Sequence, residues 1–455
     1  MNINNNIFRA YDIRGIAYKE LTEDLVFTLG KSIGTSVLEL GETSLIIGRD
    51  GRNSSPDLKK WLSEGVMSTG CDVINIGVVP TPLLYFSTHK LQSSSGIMIT
   101  GSHNPGEYNG FKIVMNKRTI SGEKIQKIKD KILSNKFHAG KGSEKKTTVI
   151  EMYLTELLKN IDIKRPLRLA IDCGNGAASI IAKRVYESLG CEVEAIYSTL
   201  DGNFPNHHPD PSKPENLSDL VKIVKNQKLE VGLAFDGDAD RLGVISSKGE
   251  IVYPDMQLIL FSKDILGKNQ KSKIVFDVKC SKLLSSSILQ EGGIPIMSKT
   301  GHSFIKDTIV KEAAPLGGEM SGHIFFNDKW PGFDDAIYAG ARMLELISKK
   351  SMKEDIFSDL PKLVSTPEIN VKTTEERKFK IVKEFKALAD FPESTKIELD
   401  GIRLEFERGW GLIRASNTTP NLVLRFEADT KQNLESIKNK FRKILTKIEP
   451  NLSSF

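Results

Sequence analysis

Residues 100–105 (TGSHNP) contain the side chains best suited to chemistry in this chain of 455 residues. They follow the apolar run 96–99, which predicts a strand, and their glycine and Asn-Pro step predict a turn. A serine on a turn at the end of a strand, here Ser102, stands where a substrate can reach it. The adjacent His103 titrates near neutral pH, so a serine hydrolase is one interpretation. No Gly-x-Ser-x-Gly elbow surrounds the serine, which argues against that interpretation.

Three aspartates at alternate positions, Asp236, Asp238 and Asp240, follow the apolar run 231–235, which predicts a buried strand. Open α/β sheets bind their ligands at the carboxyl ends of such strands. Carboxylates that converge can hold a hard cation such as Mg²⁺, which keeps phosphate or water oxygens in its shell. Arg241 comes next and adds a planar group for a phosphate. The segment therefore predicts a magnesium site beside a phosphate.

Other acidic motifs fit this segment less well. An EF-hand loop needs Gly at its sixth position and Glu at its twelfth, where this chain has Arg241 and Ser247. A phosphatase of the haloacid dehalogenase type also has a strand that leads into Asp-x-Asp, but it usually has Thr or Val where Asp240 stands. An ordinary solvated turn is disfavoured, because three carboxylates without a cation repel one another.

Two later segments have side chains suited to a sugar phosphate. In residues 318–323 (GEMSGH), Glu319, Ser321 and His323 alternate, so an extended backbone would place them on one face toward sugar hydroxyls. Residues 414–420 (RASNTTP) place an arginine, hydroxyls and an amide in a predicted turn, which suits a phosphate monoester. Taken alone, residues 318–323 are more typical of an ordinary polar strand edge, and residues 414–420 could equally be an ordinary turn between two strands.

Composition excludes several classes of protein. With 39% hydrophobic and 27% charged residues, the chain is typical of a soluble globular protein. No apolar stretch approaches the roughly 20 residues of a membrane span, and the first residues do not resemble a secretory signal. The net charge of +6 is spread along the chain and aromatic residues make up only 7%, which argues against a nucleic-acid partner. The four cysteines are scattered, which favours reduced thiols in a cytoplasmic protein.

The order of the apolar segments predicts the fold class. Short strand-like runs alternate with amphipathic helical segments, which predicts three α/β domains with mixed, mainly parallel sheets. Expected strands include residues 45–48, 167–171, 231–235 and 274–276, and expected helices include residues 122–133, 179–189 and 334–347. The last part is dense in strands and ends in a predicted helix over 431–445, which indicates a C-terminal α+β domain.

Three polar joints divide the chain. Residues 138–147 look like a linker because they are rich in Gly and Lys. Residues 246–250 interrupt the apolar pattern, and the pattern changes again near residues 360–367. These joints predict four domains, which span residues 1–148, 149–250, 251–362 and 363–455.

Taken together, these segments resemble the α-D-phosphohexomutase superfamily. The resemblance extends from Ile7 to about Ala428. It includes residues 8–15 (FRAYDIRG), 48–52 (GRDGR), 110–112 (GFK), 277–280 (DVKC), 300–303 (TGHS) and 330–335 (WPGFDD). The chain is most similar to the phosphomannomutase/phosphoglucomutase group, since phosphoglucosamine mutases typically have Gln where Met320 stands.

The resemblance implies four domains round a central cleft, each contributing one loop. It implies that Ser102 carries a phosphoryl group, and that one Mg²⁺ ion is held by Asp236, Asp238, Asp240 and an oxygen of the phosphorylated Ser102. Sugar hydroxyls would contact Glu319 and Ser321, and the phosphate that is not transferred would contact Arg414, Ser416, Asn417 and Thr418. The other matching positions comprise the expected catalytic residues Arg14, Lys112, Arg241 and His323 and the expected substrate-binding residues Tyr11, Lys279 and His302.

The implied reaction moves a phosphoryl group reversibly between the 1- and 6-hydroxyls of a mannose or glucose phosphate. It passes through phosphoserine and a bound hexose 1,6-bisphosphate, which also serves as activator. Mg²⁺, Arg241 and Lys112 would supply positive charge to the transfer. Lys112 and His323 are both candidates for the general acid/base, and the sequence leaves that choice open. We expect small hexose phosphates as the ligands of a monomer or weak dimer, with no nucleic acid and no membrane.

Three alternatives stay open from the sequence. A phosphoglucosamine mutase would turn over the amino sugar fastest. A phosphosugar-binding protein without turnover is disfavoured, because the chain keeps Ser102 and every aspartate of the expected metal site. A phosphatase would release inorganic phosphate in place of the isomeric sugar phosphate.

Overall fold

The computed structural model of this protein describes residues 4–352, 354–417, 419–453 and 455. Its strands form four sheets that follow one another along the chain, each with its own helices. These four groups are named the first to fourth units. The first three units combine parallel and antiparallel pairs, whereas the described strands of the fourth pair antiparallel. The predicted fold class is confirmed.

The first unit contains the sheet that leads into the loop of Ser102. Its strands are β1 (Ile13–Ile16), β2 (Ser44–Arg49), β3 (Asp72–Val78), β4 (Gly96–Ile99), β5 (Tyr108–Met115), β6 (Arg118–Thr119) and β7 (Glu144–Lys146). Its helices are α1 (Glu23–Glu39), α2 (Ser55–Met67), α3 (Thr81–Lys90) and α4 (Glu123–Ser134). The strand order is β1-β5-β4-β2-β3-β7, with β6 beside β5, and β2 runs parallel to β3 and β4.

One strand of this sheet lies where the sequence predicted a linker. Strand β7 falls within residues 138–147 and pairs in parallel with β3 at the sheet edge. The linker prediction is wrong for this stretch. The three side chains of β7 are all exposed, so no apolar pattern marks a strand that main-chain hydrogen bonds hold in place.

The second unit contains the sheet that leads into the aspartate segment. Its strands are β8 (Arg168–Asp172), β9 (Glu192–Ile196), β10 (Val231–Phe235), β11 (Leu242–Ser246) and β12 (Ile251–Val252). Its helices are α5 (Ile150–Asn160), α6 (Ala182–Ser188) and α7 (Ser218–Gln227). Strands β11 and β12 pair as a hairpin, so the boundary proposed after residue 250 cuts through this hairpin. The helix expected over 179–189 is divided into a short 3₁₀ helix, Ala177–Ile180, and α6.

The third unit contains a sheet in the order β14-β13-β15-β16. Its strands are β13 (Lys273–Asp277), β14 (Ile294–Ser298), β15 (Leu316–Gly318) and β16 (Ile324–Phe326). Its helices are α8 (Pro254–Lys268), α9 (Lys282–Gln290), α10 (His302–Glu312) and α11 (Ala336–Ser348). Strand β13 is parallel to both β14 and β15, as its crossover helices require, and β15 and β16 form a hairpin.

The fourth unit is a smaller antiparallel sheet with two helices against it. Its strands are β17 (Val364–Ser365), β18 (Ile369–Lys372), β19 (Thr395–Ile397), β20 (Ile402–Phe406), β21 (Gly409–Ala415) and β22 (Asn421–Ala428). Its helices are α12 (Glu375–Leu388) and α13 (Lys431–Ile448). Phe385, Phe426 and Phe441 form the centre of a core that belongs to this unit alone.

The first three units share a hydrophobic core that fixes their strand ends relative to one another. Phe86 of α3 and Tyr153 of α5 both contact Trp330, with ring centroids 5.8 and 5.6 Å away. Tyr338 of α11 stacks on the same indole at 4.4 Å. Aromatic pairs of this kind add to the free energy of burial. Residues from three units therefore meet in one packed cluster.

All four cysteines are buried free thiols. Among the described residues, no helix has both the length and the apolar character that a membrane crossing requires.

Asp335 caps helix α11 inside the aromatic cluster. Its carboxylate accepts hydrogen bonds from the main-chain N–H of Tyr338 at 2.9 Å, the hydroxyl of Tyr153 at 2.9 Å and the indole of Trp330 at 3.2 Å. Asp335 is 1% exposed. Burial outweighs these donors and raises its pKa from 3.8 to about 7. The folded state thus prefers the neutral acid more strongly than the unfolded chain does.

We expect Asp335→Asn to change how stability depends on pH. Because the pKa in the folded state is raised, the stability associated with the protonated acid is lost as pH rises through about 7. Asparagine keeps an acceptor for the cap and carries no charge. Between pH 5 and pH 8, the native chain should lose about 3 kcal/mol relative to the variant. Calorimetric melting of both proteins at the two pH values measures this, and parallel changes would contradict the expectation.

Candidate active site

The predicted site segments lie at the carboxyl ends of strands in all four units. Ser102 follows β4, Asp236 directly follows β10, and Glu319 directly follows β15. Arg414 lies near the end of β21 in the fourth unit. Open sheets with parallel strands bind ligands at this edge. Contacts between side chains join these segments across the boundaries of the units.

Ser102 is held against the aspartate segment. Its Oγ donates a hydrogen bond to Oδ2 of Asp236 at 2.9 Å, and Nδ1 of His103 lies 3.1 Å from the same Oγ. The backbone of the serine is left-handed, with φ of 49°. Residues other than glycine adopt this conformation at a cost in free energy. Burial, with Arg241 nearby, lowers the pKa of His103 well below its ordinary value. His103 is therefore a neutral neighbour of the serine.

Arg52 holds the Ser102 loop, a role that was not predicted for it. Its guanidinium donates to the main-chain carbonyls of Ser102 at 2.7 Å, Asn104 at 2.6 Å and Pro105 at 2.6 Å. Arg52 is 1% exposed, and Asp50 balances its charge with a contact of 3.1 Å. The planar fork of an arginine can bond several carbonyls at once, which lysine cannot do. The only sequence signal was the segment GRDGR, which belongs to the resemblance.

The loops of Ser102 and the aspartates approach so closely that Gly237 cannot carry a side chain. A Cβ atom on Gly237 would lie 2.3 Å from the carbonyl oxygen of Ser102. Thr81, the first residue of α3, adds a second link between the units. Its main-chain N–H donates to the carbonyl of Asp238 at 2.9 Å, and its hydroxyl donates to Oδ2 of Asp238 at 2.5 Å.

The three aspartates converge as predicted. Each is 0% exposed, and one carboxylate oxygen of each lies within 4.8 Å of those of the other two. Among the described residues, no hydrogen-bond donor satisfies Oδ1 of Asp238 or Oδ1 of Asp240. Buried carboxylate oxygens that lack a donor are suited to coordinate a hard cation. These side chains therefore fit Mg²⁺.

The charges in the triad are unequally balanced. Burial, together with the adjacent carboxylates of Asp238 and Asp240, raises the pKa of Asp236 well above its ordinary value. Burial has the same tendency at Asp238, but Lys112 outweighs it and lowers the pKa of that carboxyl. Nζ of Lys112 lies 2.6 Å from Oδ2 of Asp238 and also contacts Asp240. A divalent cation would relieve the repulsion among the three carboxylates that raises the pKa of Asp236.

Two predicted catalytic cations lie beside the serine and the triad. Burial lowers the pKa of Lys112, but the attraction of Asp238 and Asp240 outweighs this and raises it well above its ordinary value, so the amine stays protonated. Arg14 is 8% exposed. It donates to Oδ1 of Asn104 in the serine loop at 2.8 Å and pairs with Asp12.

Arg241 and His323 are in direct contact. Nε of Arg241 donates to Nε2 of His323 at 3.0 Å. The other ring nitrogen, Nδ1, lies 3.0 Å from Oδ2 of Asp334, a residue that received no role from the sequence. Asp334 is 0% exposed, and Nζ of Lys306 lies 2.7 Å from its Oδ1. Asp334 belongs to the segment 330–335, so the resemblance marked its position but not its contacts.

Residues 319–323 are a turn and not a strand, so the expectation of one extended face is wrong. The main-chain N–H of Gly322 donates to the carbonyl of Glu319 at 3.0 Å, and Gly322 has a φ of 99°. The turn joins β15 to β16 and aims Glu319 and Ser321 at each other, with the serine Oγ donating to Oε2 at 3.0 Å. Oε1 accepts from the N–H of Gly301 at 3.0 Å, and burial raises the pKa of Glu319. These oxygens suit sugar hydroxyls.

His302 and Tyr11 connect the sugar turn to the fourth unit. The ring of His302 stacks on His323 at 5.7 Å and meets the edge of Tyr11 at 5.5 Å. Tyr11 also hydrogen bonds with the side chain of Asn417, and its burial raises its pKa to about 12. The predicted residues of the first, third and fourth units thus lie side by side.

A second group of cations lies on the fourth-unit side of the cleft. Nε of Arg414 donates to Oδ2 of Asp400 at 2.9 Å, and Nζ of Lys279 lies 2.5 Å from Oε1 of Glu368. Arg414 and Lys279 are both 4% exposed. The two carboxylates were not predicted, and they come from loops that carry no distinctive motif. Two buried cations that face one region can bind a phosphate.

The predicted loop after Arg414 is a turn, as expected. Ser416 is buried, and its Oγ accepts from the main-chain N–H of Thr419 at 3.1 Å. Lys378 of α12 donates to the carbonyl of Ser416 at 2.7 Å, which ties the turn to the core of the unit. The remaining predicted residue, Thr418, lies outside the residues that the structure describes.

Comparison with known proteins agrees with this arrangement. Family models described as phosphoglucomutase/phosphomannomutase alpha/beta/alpha domains I, II and III match residues 5–139, 151–249 and 253–363, and the C-terminal domain of the same family matches residues 368–444. The phosphomannomutase/phosphoglucomutase of Pseudomonas aeruginosa is 48% identical over 448 residues, which cover 98% of this chain and 97% of that protein. The phosphoglucomutase of Neisseria gonorrhoeae is 47% identical, also over 98% and 97%.

A solved structure agrees with the sequence relatives. The phosphoglucomutase/phosphomannomutase family protein of Burkholderia thailandensis superimposes with a TM-score of 0.94 at 42% identity, over 99% of each chain. The chain therefore belongs to the phosphoglucomutase/phosphomannomutase family. The resemblance to the α-D-phosphohexomutases predicted from the sequence is confirmed.

Proposed function

We propose that this protein moves a phosphoryl group between the 1- and 6-hydroxyls of mannose or glucose phosphates through phosphorylated Ser102 and a bound 1,6-bisphosphate. The class of reaction, phosphoryl transfer within a hexose phosphate by an isomerase, follows from the family. We propose in addition that the transfer passes through Ser102, that a metal ion takes part, and that the sugar is mannose or glucose. Its main support is the bond of 2.9 Å between Oγ of Ser102 and Asp236 of the buried triad.

The residues of this chain supply the requirements of such a transfer. Asp236, Asp238 and Asp240 would hold a Mg²⁺ ion, which supplies positive charge to the transferring phosphoryl group. Arg241 would bind the phosphoryl group through the guanidinium nitrogens other than Nε, which contacts His323. In the first transfer the bond between phosphorus and the serine oxygen breaks as a sugar oxygen bonds to phosphorus, and in the second the other phosphoryl group returns to Ser102.

Lys112 is our candidate for the proton exchange: its protonated Nζ would give a proton to the serine oxygen as that oxygen leaves phosphorus, and the amine would then take the proton of the sugar hydroxyl. Its protonated Nζ lies within the triad that faces Ser102. Nε2 of His323 instead accepts a hydrogen bond from Nε of Arg241 at 3.0 Å, so the lone pair of this nitrogen is already occupied.

A direct assay tests the proposed reaction. The purified protein is incubated with Mg²⁺, a trace of glucose 1,6-bisphosphate and either glucose 1-phosphate or mannose 1-phosphate, and the 6-phosphate is measured by a coupled dehydrogenase. Glucosamine 1-phosphate is compared under the same conditions, and inorganic phosphate is measured in parallel. The isomeric phosphate of glucose or mannose is the expected product. Faster turnover of the amino sugar, release of phosphate or binding without turnover would each contradict the proposal.

Arg414→Ala should weaken the substrate complex. We propose that Arg414 and Lys279 hold whichever phosphate is not being transferred, so that one anchor serves both orientations of the sugar. Loss of a charged hydrogen bond of this kind costs about 2–3 kcal/mol, which corresponds to a rise in KM of about 30–150-fold for glucose 1-phosphate. Magnesium affinity should not change, because the triad belongs to another unit.

An arginine on the surface of the same unit provides the control for this variant. The side chain of Arg408 is 67% exposed. Arg408→Ala should leave KM unchanged in the same assay. Equal KM values for Arg414→Ala and the native protein would contradict the anchor.

A further inference from the structure

Asp277 ends strand β13 and is a buried carboxylate to which the sequence assigned no role. Strand β13 lies between β14 and β15 and runs parallel to both. Parallel neighbours have their carboxyl ends at the same edge of a sheet. A side chain at the end of the middle strand therefore lies between the loops that follow the two outer strands. Asp277 has this place, and it is 0% exposed.

Each of these two loops donates one hydrogen bond to the carboxylate of Asp277. The hydroxyl of Thr300, in the loop after β14, donates to Oδ2 at 3.0 Å. The main-chain N–H of Met320, in the loop after β15, donates to Oδ1 at 3.2 Å. An ionised carboxylate has two acceptor oxygens and no donor, so it can hold both groups at once. Asp277 thus ties the two loops to each other.

The same carboxylate faces the turn that follows β13 itself. Nζ of Lys279 lies 3.8 Å from Oδ2 of Asp277, and Sγ of Cys280 donates to Oδ1 at 3.2 Å. One buried side chain is therefore in contact with three segments of the third unit. Those segments contain all the substrate-binding residues that were predicted in this unit, namely Lys279, His302, Glu319 and Ser321.

We propose that Asp277 is a positioning residue, which holds the turn of residues 319–323 at a fixed distance from Lys279 of the phosphate anchor. The tie between the segments concerns this structure alone, whereas its effect on turnover rests on the proposed function. In a hexose phosphate the distance between the ring hydroxyls and the phosphate is limited by the covalent structure. Both ends must be bound at once, so a small displacement of one binding segment weakens the complex even when every contact residue is retained.

Hydrogen exchange measures the tie without any assay of activity. In Asp277→Ala the N–H of Met320 loses its acceptor, so amides of residues 319–323 should exchange about 10–100-fold faster than in the native protein. Mass spectrometry of peptides from the exchanged protein gives this rate. Amides of α13, in the fourth unit, should keep their native rate, which separates local opening from global unfolding. An unchanged rate at residues 319–323 would overturn the inference whatever the enzyme turns over.

Steady-state kinetics measure the consequence for the substrate. Asp277→Ala should raise KM for glucose 1-phosphate about 10–30-fold and leave kcat within about threefold, because the displaced groups bind the ground state and the transition state alike. Asp277→Asn keeps an oxygen acceptor for Met320, so its KM should stay within about fivefold of the native value. A loss of kcat without a rise in KM, or equal KM values for the two variants, would overturn the positioning role.

A pair of variants at Thr300 keeps the carboxylate in place, so the test does not depend on whether Asp277→Ala folds. Thr300→Val preserves the shape of the side chain and removes the hydroxyl that donates to Asp277. Thr300→Ser keeps that hydroxyl. We expect KM to rise about 3–10-fold in the valine variant and to stay closer to the native value in the serine variant. Equal KM values for these two variants would contradict the tie.

Another carboxylate of the third unit provides the control. Asp264 of α8 pairs with Lys268 and Lys349. Asp264→Ala removes these ion pairs and should leave KM unchanged. If it raised KM as much as Asp277→Ala does, the effect would be one of stability, and the inference would fail. A native protein without turnover, combined with faster exchange at residues 319–323 in Asp277→Ala, would instead contradict the proposed function and support the tie.

Discussion

Ser102→Ala should reduce turnover of glucose 1-phosphate by about 10⁴-fold or more, the range observed when an enzyme loses its nucleophile. The hydroxyl of Ser102 is the one we propose to carry the phosphoryl group, and the surrounding structure is organised around it. Arg52 fixes its loop, Asp236 accepts from its Oγ, and Gly237 allows the aspartate segment to reach it. Alanine removes the oxygen and leaves these supports in place, so the variant should fold normally.

The matched control is another buried serine of the first unit. Ser63 of α2 is 1% exposed, and its hydroxyl has no hydrogen-bond partner among the described residues. Ser63→Ala should retain native turnover. Intact mass spectrometry adds a second observation, because one phosphate should be present on the native chain and on Ser63→Ala, and none on Ser102→Ala. Native turnover by Ser102→Ala without added bisphosphate would contradict the phosphoserine.

Asp238→Asn should have the second largest effect, with a loss of about 10³-fold in turnover and a clear loss of magnesium affinity. Asp238 links three parts of the site, since it contacts Lys112, accepts from Thr81 and contributes an unsatisfied oxygen to the triad. Asparagine keeps the shape and removes the charge. The variant should therefore fold, bind Mg²⁺ weakly and transfer phosphate slowly.

Isothermal titration with Mg²⁺ and steady-state kinetics measure the two effects in the same preparation. Removal of metal by a chelator should abolish turnover of the native protein, and added Mg²⁺ should restore it. Asp162→Asn is a suitable control, because its side chain is 63% exposed in the second unit. Full magnesium affinity in Asp238→Asn would show that the triad does not hold the ion.

The elements that place the site were largely predictable, because their signals are local. The strand over 231–235 is observed with the predicted bounds. A short apolar run before an acidic turn is typical of a buried strand. The spacing of Asp236, Asp238 and Asp240 predicted convergence at its carboxyl end, and they do converge. Strand β7 was missed because its exposed side chains carry no pattern.

Other features depend on residues that are distant in sequence. The alternation of Glu319, Ser321 and His323 is compatible with both a strand and a turn. In the structure this segment is a turn, because it connects the paired strands β15 and β16. The residues of this segment alone do not predict which of the two structures forms. The hydrogen bonds that stabilise the hairpin come from the neighbouring strand.

By itself the sequence determined the class of fold, the family and the side chains that we propose to bind a phosphate, since apolar periodicity and motif chemistry are properties of short segments. Only the tertiary structure decided which of those side chains restrain one another. The carbonyls of the Ser102 loop converge on Arg52, and Asp334 meets His323 and Lys306. Such contacts depend on how separate units pack, and the packing is set by a hydrophobic core to which three units contribute.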